Sequence, residues 1–259
     1  MTLESTLRER RSQGRPLLVP YVTGGLHDGW TEVVEAVVAA GADAVEIGIP
    51  FSDPVMDGPT IQAASQQALA AGATPTTILG EVESLHVEAP LAVMTYVNLV
   101  MHAGYERFAA ALVEAGVDAA ILPDLPLDEF DDWATAADSA GIETVLLAAP
   151  TTSDERLARI CARSKGFVYA VSLLGVTGER SDLATPASTI GERCRAHTDT
   201  PVLLGVGIST PEQAAEAVAH ADGVVVGSAL VRRLLEGGGV DAAADFVREL
   251  RQALDAAPR

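Results

Sequence analysis

Eight short apolar runs, at 17–22, 44–49, 91–96, 118–122, 143–148, 167–172, 201–205 and 222–226, alternate with helical stretches along the 259-residue chain. The lead-in recurs with them, as AGADAVEIG, AGVDAAILPD, AGIETVLLAAP and HADGVVVGS, each a helix end with a Gly or polar stop ahead of an apolar strand. A β/α module repeated this way implies parallel strands. Eight modules in about 250 residues predict one closed (β/α)8 barrel of the TIM type, with an N-terminal helix and residues 1–259 as a single domain. An open doubly wound sheet is the alternative, and it needs two edge strands. No run contains the Lys or Arg that blunts an edge.

The formal net charge of −19 disfavours nucleic acid and anionic membrane surfaces as partners, so an anionic small molecule would have to be held by local dipoles. The start, MTLESTLRERRSQGRP, has no apolar run before a cleavage site, and no stretch approaches about 18 apolar residues. A cytoplasmic setting is expected. Cys161 and Cys194 fall in helical stretches, which predicts free thiols in a reducing compartment.

Barrel sites lie at the C-terminal ends of the strands. The connections after the second and sixth strands are the longest, at about 40 and about 30 residues, and excess length of this kind is more often functional than idle. In the second run Val45, Ile47 and Ile49 share one face, and Ala44, Glu46 and Gly48 the other. With the aliphatic face against the helices, Glu46 points into the barrel, where lost hydration raises a carboxylate's pKa toward that of a general acid working near neutrality. No interior Arg is at hand in any strand run to make it a structural ion pair. Asp57, before Gly58-Pro59-Thr60, reads by itself as turn or cap chemistry, and Asp53 before Pro54 likewise.

Glycine clusters follow the last three strands: GVTG at 175–178, GVG at 205–207 and Gly227-Ser228, the last opening the helical ALVRRLL. Glycine admits close approach of backbone N–H groups to an anion, and the loops after strands seven and eight are the habitual phosphate site of this barrel. The one lysine, Lys165, precedes strand six at the far end, which disfavours Schiff-base chemistry. His27, His86, His102, His197 and His220 show no metal-ligand spacing. Neither a metal nor another cofactor is expected.

The run Glu46 to Gln62 (EIGIPFSDPVMDGPTIQ), then Tyr96-Val97-Asn98, Pro123-Asp124-Leu125-Pro126, GVTG, GVG and Gly227-Ser228 resemble the tryptophan synthase alpha chain family, in register from Leu17 to Ser228. The resemblance implies a TIM barrel that cleaves indole-3-glycerol phosphate to indole and glyceraldehyde 3-phosphate, partnered by a beta chain in an alpha2beta2 complex. It implies that Glu46 is the general acid/base and that Asp57 accepts a hydrogen bond from the indole N–H. Without lysine or metal the indole ring must itself be the electron sink, and a carboxylate at its nitrogen stabilises the positive charge that develops there. By the same resemblance Thr177 would orient Asp57 on loop closure, Tyr96 and Tyr169 would line the indole pocket, and Gly178, Gly207, Gly227 and Ser228 would hold the phosphate. Tyr21 fits an aromatic pocket position as well as ordinary core packing.

The chain departs from the family at Thr23-Gly24-Gly25-Leu26-His27, where an Asp-Pro pair is usual after the glycine, and at Leu173-Leu174. The loop from Pro50 to Asp57 resembles the family's partner-facing surface. Two further functions are compatible with the sequence: a stand-alone lyase releasing free indole, and a non-catalytic regulatory subunit that binds a beta chain. Intact Glu46 and Asp57 weigh against the second.

Overall fold

The Ala-Gly steps ahead of the strands are helix stops: Gly41, Gly116 and Gly141 have φ of 111°, 75° and 80°, a left-handed backbone that glycine adopts without strain. The computed structural model describes residues 2–171, 185–205 and 207–258. In it the stops deliver the chain to strands β1 (Leu17–Thr23), β2 (Val45–Gly48), β3 (Leu91–Met94), β4 (Ala119–Ile121), β5 (Glu143–Ala148), β6 (Val168–Val171), β7 (Val202–Gly205) and β8 (Gly223–Val226). All are parallel to their neighbours, and β8 pairs back onto β1, closing the barrel in sequence order. The (β/α)8 expectation holds, and the open sheet is excluded.

Helix α1 (Leu3–Ser12) precedes β1, and α2 (Trp30–Ala39) follows it. The long β2–β3 connection is mostly helix, α3 (Pro59–Ala70) and α4 (Pro75–Glu83). The sequence reading overestimated this loop, because Pro59 and Pro75 sit at helix starts where a missing N–H costs nothing. What remains outside the helices is residues 49–58, 71–74 and 84–90, and Asp57 is in the first of these. Next come α5 (Val97–Ala103), α6 (Tyr105–Glu114), a 3-10 turn at Leu127–Glu129, α7 (Asp131–Ala140) and α8 (Asp154–Arg163). Then α9 (Thr185–Arg195) and α10 (Pro211–Ala217) follow, and two helices succeed β8, α11 (Ser228–Leu235) and α12 (Gly239–Ala256). Helix α12 packs on α2 and α10 and completes the outer ring, so α11 is an extra short helix at the mouth.

The core has two layers. Val45, Ile47, Leu18 and Val22 pack outward against the helices, whereas Leu17, Val19, Ala44, Ala92, Ile121, Val145, Phe167, Leu203 and Val225 fill the barrel. Leu3 and Leu7 of α1 are fully buried in that inner layer. The N-terminal helix is thereby a plug, each leucine contributing about 1.5–3 kcal/mol by burial.

At the same N-terminal end a side-chain tie repeats. Asp43 Oδ2 accepts from Leu18 N at 2.9 Å, Asp118 Oδ2 from Leu91 N at 3.0 Å, Ser164 Oγ from Leu146 N at 3.1 Å and Asp222 Oδ2 from Val202 N at 2.8 Å. Each polar residue ahead of an even-numbered strand satisfies an N–H of the odd-numbered strand before it, at that strand's start for the three aspartates and mid-strand for Ser164, an N–H that would be costly to bury unpaired. Lys165 also lies at this end, with Nζ 2.8 Å from Asp138 Oδ1. Cys161 and Cys194 are buried free thiols on the facing helices α8 and α9.

Candidate active site

Glu46 occupies the inward parity of β2, between Ala44 and Gly48, directly across from Tyr21 of β1. Its side chain is fully buried, and among the described residues neither carboxylate oxygen has a hydrogen-bond partner. Burial, reinforced by the negative charge of Asp57, pushes the Glu46 pKa up to about 8. At pH 7 it therefore carries its proton.

Asp57 ends the β2 loop one residue before Gly58, the N-cap of α3, and Gln62 Nε2 donates to its carbonyl at 2.7 Å. Its carboxylate accepts a hydrogen bond from the Tyr96 hydroxyl, which partly offsets burial and leaves the Asp57 pKa pushed up to about 6. Asp57 is thus mainly ionised where Glu46 is mainly protonated. The Tyr96 hydroxyl also accepts from Met56 N at 3.0 Å, and its ring stacks on Phe51 with centroids 4.9 Å apart and planes at 24°. Tyr96 thereby holds the loop that carries Asp57, a job that its position in the motif does not reveal.

Two more tyrosines flank Glu46, and two glycines make room for them. A Cβ on Gly48 would lie 1.9 Å from the Tyr21 hydroxyl oxygen, and one on Gly205 would lie 2.0 Å from Cε2 of Tyr169. The rings lie across neighbouring strands in the space those side chains would fill. Burial and nearby carboxylate charge, from Asp57 at Tyr21 and from Glu46 at Tyr169, raise both phenol pKa values well above the ordinary range. Tyr21 belongs to both descriptions that the sequence left open, since it is 5% exposed, packs in the core and faces Glu46.

Beside Met56, a mostly apolar cavity of about 190 Å³ opens at the C-terminal ends of β4 and β5, lined by Met56, Leu122, Leu147 and Val171 and, on its helix side, by Phe130 and Arg156 among others. The sequence reading missed this wall, because aliphatic residues at strand ends carry no signal separating pocket from core. Across the mouth, Gly207 after β7 has φ 92°. Gly227 caps α11, which begins at Ser228. A short extra helix starting at the ends of β7 and β8 is the arrangement that favours a phosphate through backbone N–H groups and helix dipole. Thr177 and Gly178 lie outside the described residues. Among the described residues no group of three His, Cys, Asp or Glu side chains is placed to hold a metal ion.

Residues 7–256 match the family model described as the tryptophan synthase alpha chain. The chain belongs to that family. It is 44% identical to the tryptophan synthase alpha chain of Thermobifida fusca over 99% of this chain and 97% of that one, and 45% identical to that of Streptomyces coelicolor over 96% and 93%. Among solved structures, tryptophan synthase from Mycobacterium tuberculosis superposes with a TM-score of 0.91 at 37% identity, covering 97% of each chain. Subunit alpha from Legionella pneumophila gives 0.89 at 34%, covering 98% of this chain and 99% of that one. This tryptophan synthase alpha family member carries the inward Glu46, Asp57 on the β2 loop, three tyrosines and the helix-start Gly227 on one barrel mouth.

Proposed function

We infer that this chain is a carbon–carbon lyase that cleaves indole-3-glycerol phosphate to indole and glyceraldehyde 3-phosphate, the alpha reaction of tryptophan biosynthesis. The observation that carries the assignment of roles is two carboxylates in unlike settings: Glu46 fully buried with no partner among the described residues, and Asp57 on the β2 loop that Tyr96 holds, which keeps the proton on Glu46 and the charge on Asp57. Glu46 donates its proton to indole C3, and the ring's enamine electrons form the new C–H bond. The nitrogen becomes an iminium, which ionised Asp57 stabilises through the indole N–H. Glu46, now a carboxylate, takes the proton of the side-chain hydroxyl. The carbon–carbon bond breaks, its electron pair restores the aromatic ring, and the aldehyde forms. One proton is given and one returned, so Glu46 ends as it began.

The indole ring fits the apolar wall beside Met56, with Tyr21 and Tyr169 around the reacting carbon. Gly207, Gly227 and Ser228 hold the phosphate by main-chain dipoles. Thr177 and Gly178 keep the roles that family resemblance gives them, orienting Asp57 and binding phosphate. Val55, 72% exposed on the β2 loop, and Met101, 60% exposed on α5, supply apolar surface at the same mouth for a beta chain in an alpha2beta2 complex. Among the described residues no helix is long and apolar enough to cross a membrane, and free buried thiols suit a reducing cytoplasm. Steady-state indole release from indole-3-glycerol phosphate, with and without a beta chain, tests the assignment. Turnover abolished in Glu46→Gln supports it, an inactive wild type with its beta chain present contradicts it, and full turnover unresponsive to the beta chain marks a stand-alone lyase.

A further inference from the structure

Helix α5 starts at Val97, and its N-cap residue, Tyr96, offers no side-chain bond to the first turn. The acceptor comes from another loop: Asp124, after β4, takes the Val97 N–H on Oδ1 at 2.9 Å. One residue before Tyr96, Thr95 N donates to Ile121 O at 3.1 Å. Tyr96 is therefore bracketed by two ties to the β4 segment, one main chain and one through a carboxylate. The turn carrying Asp124 is itself closed by Leu125 N to Leu122 O at 3.3 Å. From Tyr96 the path continues to the Met56 N–H and the Asp57 carboxylate.

We propose that Asp124 is a positioning residue for Asp57, acting through Val97 N–H and the Tyr96 hydroxyl; this rests on the lyase assignment above. A carboxylate accepting a first-turn N–H makes a charge-assisted bond, stronger than the water it replaces and fixed in direction. The hydroxyl of Tyr96 sits at the end of a ring that extends from this backbone and stacks on Phe51, so a shift of the α5 start moves it relative to Met56 and Asp57. Loss of that bond releases the restraint on the loop and removes what favours the ionised Asp57. A merely structural turn residue would change stability and leave the site's titration alone.

The test uses the full chain with indole-3-glycerol phosphate and compares wild type, Asp124→Ala, Asp124→Asn, Tyr96→Phe and the Asp124→Ala/Tyr96→Phe double variant. Asp124→Ala is expected to lower kcat/KM about tenfold, and Asp124→Asn to recover most of it, since an amide oxygen accepts the same bond. In both Asp124→Ala and Tyr96→Phe the acidic limb of the kcat/KM profile moves up by about half a pH unit or more. The other groups facing Asp57, namely Glu46 and the neutral Tyr21 and Tyr169, stay in place in every variant. The double variant should lose no more than the worse single one, because both changes cut one path. Should Asp124→Ala fail to fold, Val97→Pro removes the donor instead. Proline is tolerated at the first helical position, and Tyr96 already has the extended φ −86°, ψ 142° that suits the residue before it. The same limb shift is expected there. An unmoved limb with a lower melting temperature alone, or losses that multiply in the double variant, overturns the proposal. A wild type that releases no indole removes the lyase assignment; an active wild type with an indifferent Asp124→Ala removes only this one.

Discussion

Asp43 lies just before β2 and Glu46 within it, and both are buried, Asp43 at 4% and Glu46 at 0% exposure. Their surroundings are opposite. Asp43 is met by Arg15 Nε at 2.7 Å, Arg251 Nη1 at 3.2 Å and Leu18 N at 2.9 Å. Among the described residues, Glu46 is met by no donor. Burial raises both carboxyl pKa values, but at Asp43 the charge of Arg15 pulls against it, whereas at Glu46 a second carboxylate pushes the same way. The N-terminal end of the barrel spends its carboxylates on holding strands together. The C-terminal end leaves one unpaired, which costs stability and yields an acid.

The first way to break this contrast is Asp43→Ala. It removes one of the two carboxylates paired with the buried Arg251 and leaves the Leu18 N–H without its acceptor, so stability should fall by about 2 kcal/mol or more in denaturant unfolding while turnover of the folded protein stays near wild type. Glu46→Gln should do the reverse. Turnover drops at least about a hundredfold, or about 2.7 kcal/mol in barrier, with substrate still bound.

Stability at neutral pH should rise in that variant, and the sign follows from linkage. The folded pKa of about 8 lies above the ordinary 4.5, so the folded state binds more protons between those values and loses stability as pH rises through them. The cost is absent below about pH 4.5 and reaches ~3 kcal/mol by pH 7. Urea unfolding of wild type and Glu46→Gln across that range should diverge in step.

Ser228→Asp and Gly207→Val sharpen the contrast from the other side of the mouth. One places a like charge where the phosphate belongs, and the other forces a side chain onto a φ of 92°. Substrate affinity by calorimetry should fall about tenfold or more in each folded variant. Asp57→Asn takes the counter-charge from the iminium, so turnover falls, and the pH profile of the residual activity reports on the pair. The substitution removes the rising limb of kcat/KM near pH 6 and lowers the falling limb below 8, since the Asp57 charge helps to raise the Glu46 pKa.

How much of this was legible in the sequence differs between strands and loops. Strand parity is local, so β2's inward Glu46 followed from Val45, Ile47 and Ile49 being aliphatic, and the repeated Ala-Gly lead-ins marked where strands begin. The Asp after several of those lead-ins, Asp43, Asp118 and Asp222, was a visible repeat whose meaning needed the partner N–H on the preceding strand. In the β2–β3 connection the stretch ending at Gln62 read as a helix start, as α3 bears out, whereas the helix announced by Thr74-Pro75 went unread. What the sequence could not show depends on contacts between distant segments: Gly48 and Gly205 as room for Tyr21 and Tyr169, Tyr96 as the holder of the Asp57 loop, and Asp124 as the acceptor for Val97. Each is a steric or hydrogen-bond relation between residues that only barrel closure brings together.

Whether Glu46 holds its proton at neutrality can be read directly. Carbon-13 labelling of glutamate side chains, with Glu46→Gln to assign the resonance, gives the carboxyl titration in the free protein. A midpoint near 8, moving down in Asp57→Asn, is the result expected of an unpaired buried acid beside a second carboxylate. A midpoint at or below about 5, within the ordinary glutamate range, would contradict it and make Glu46 an ionised base before substrate arrives.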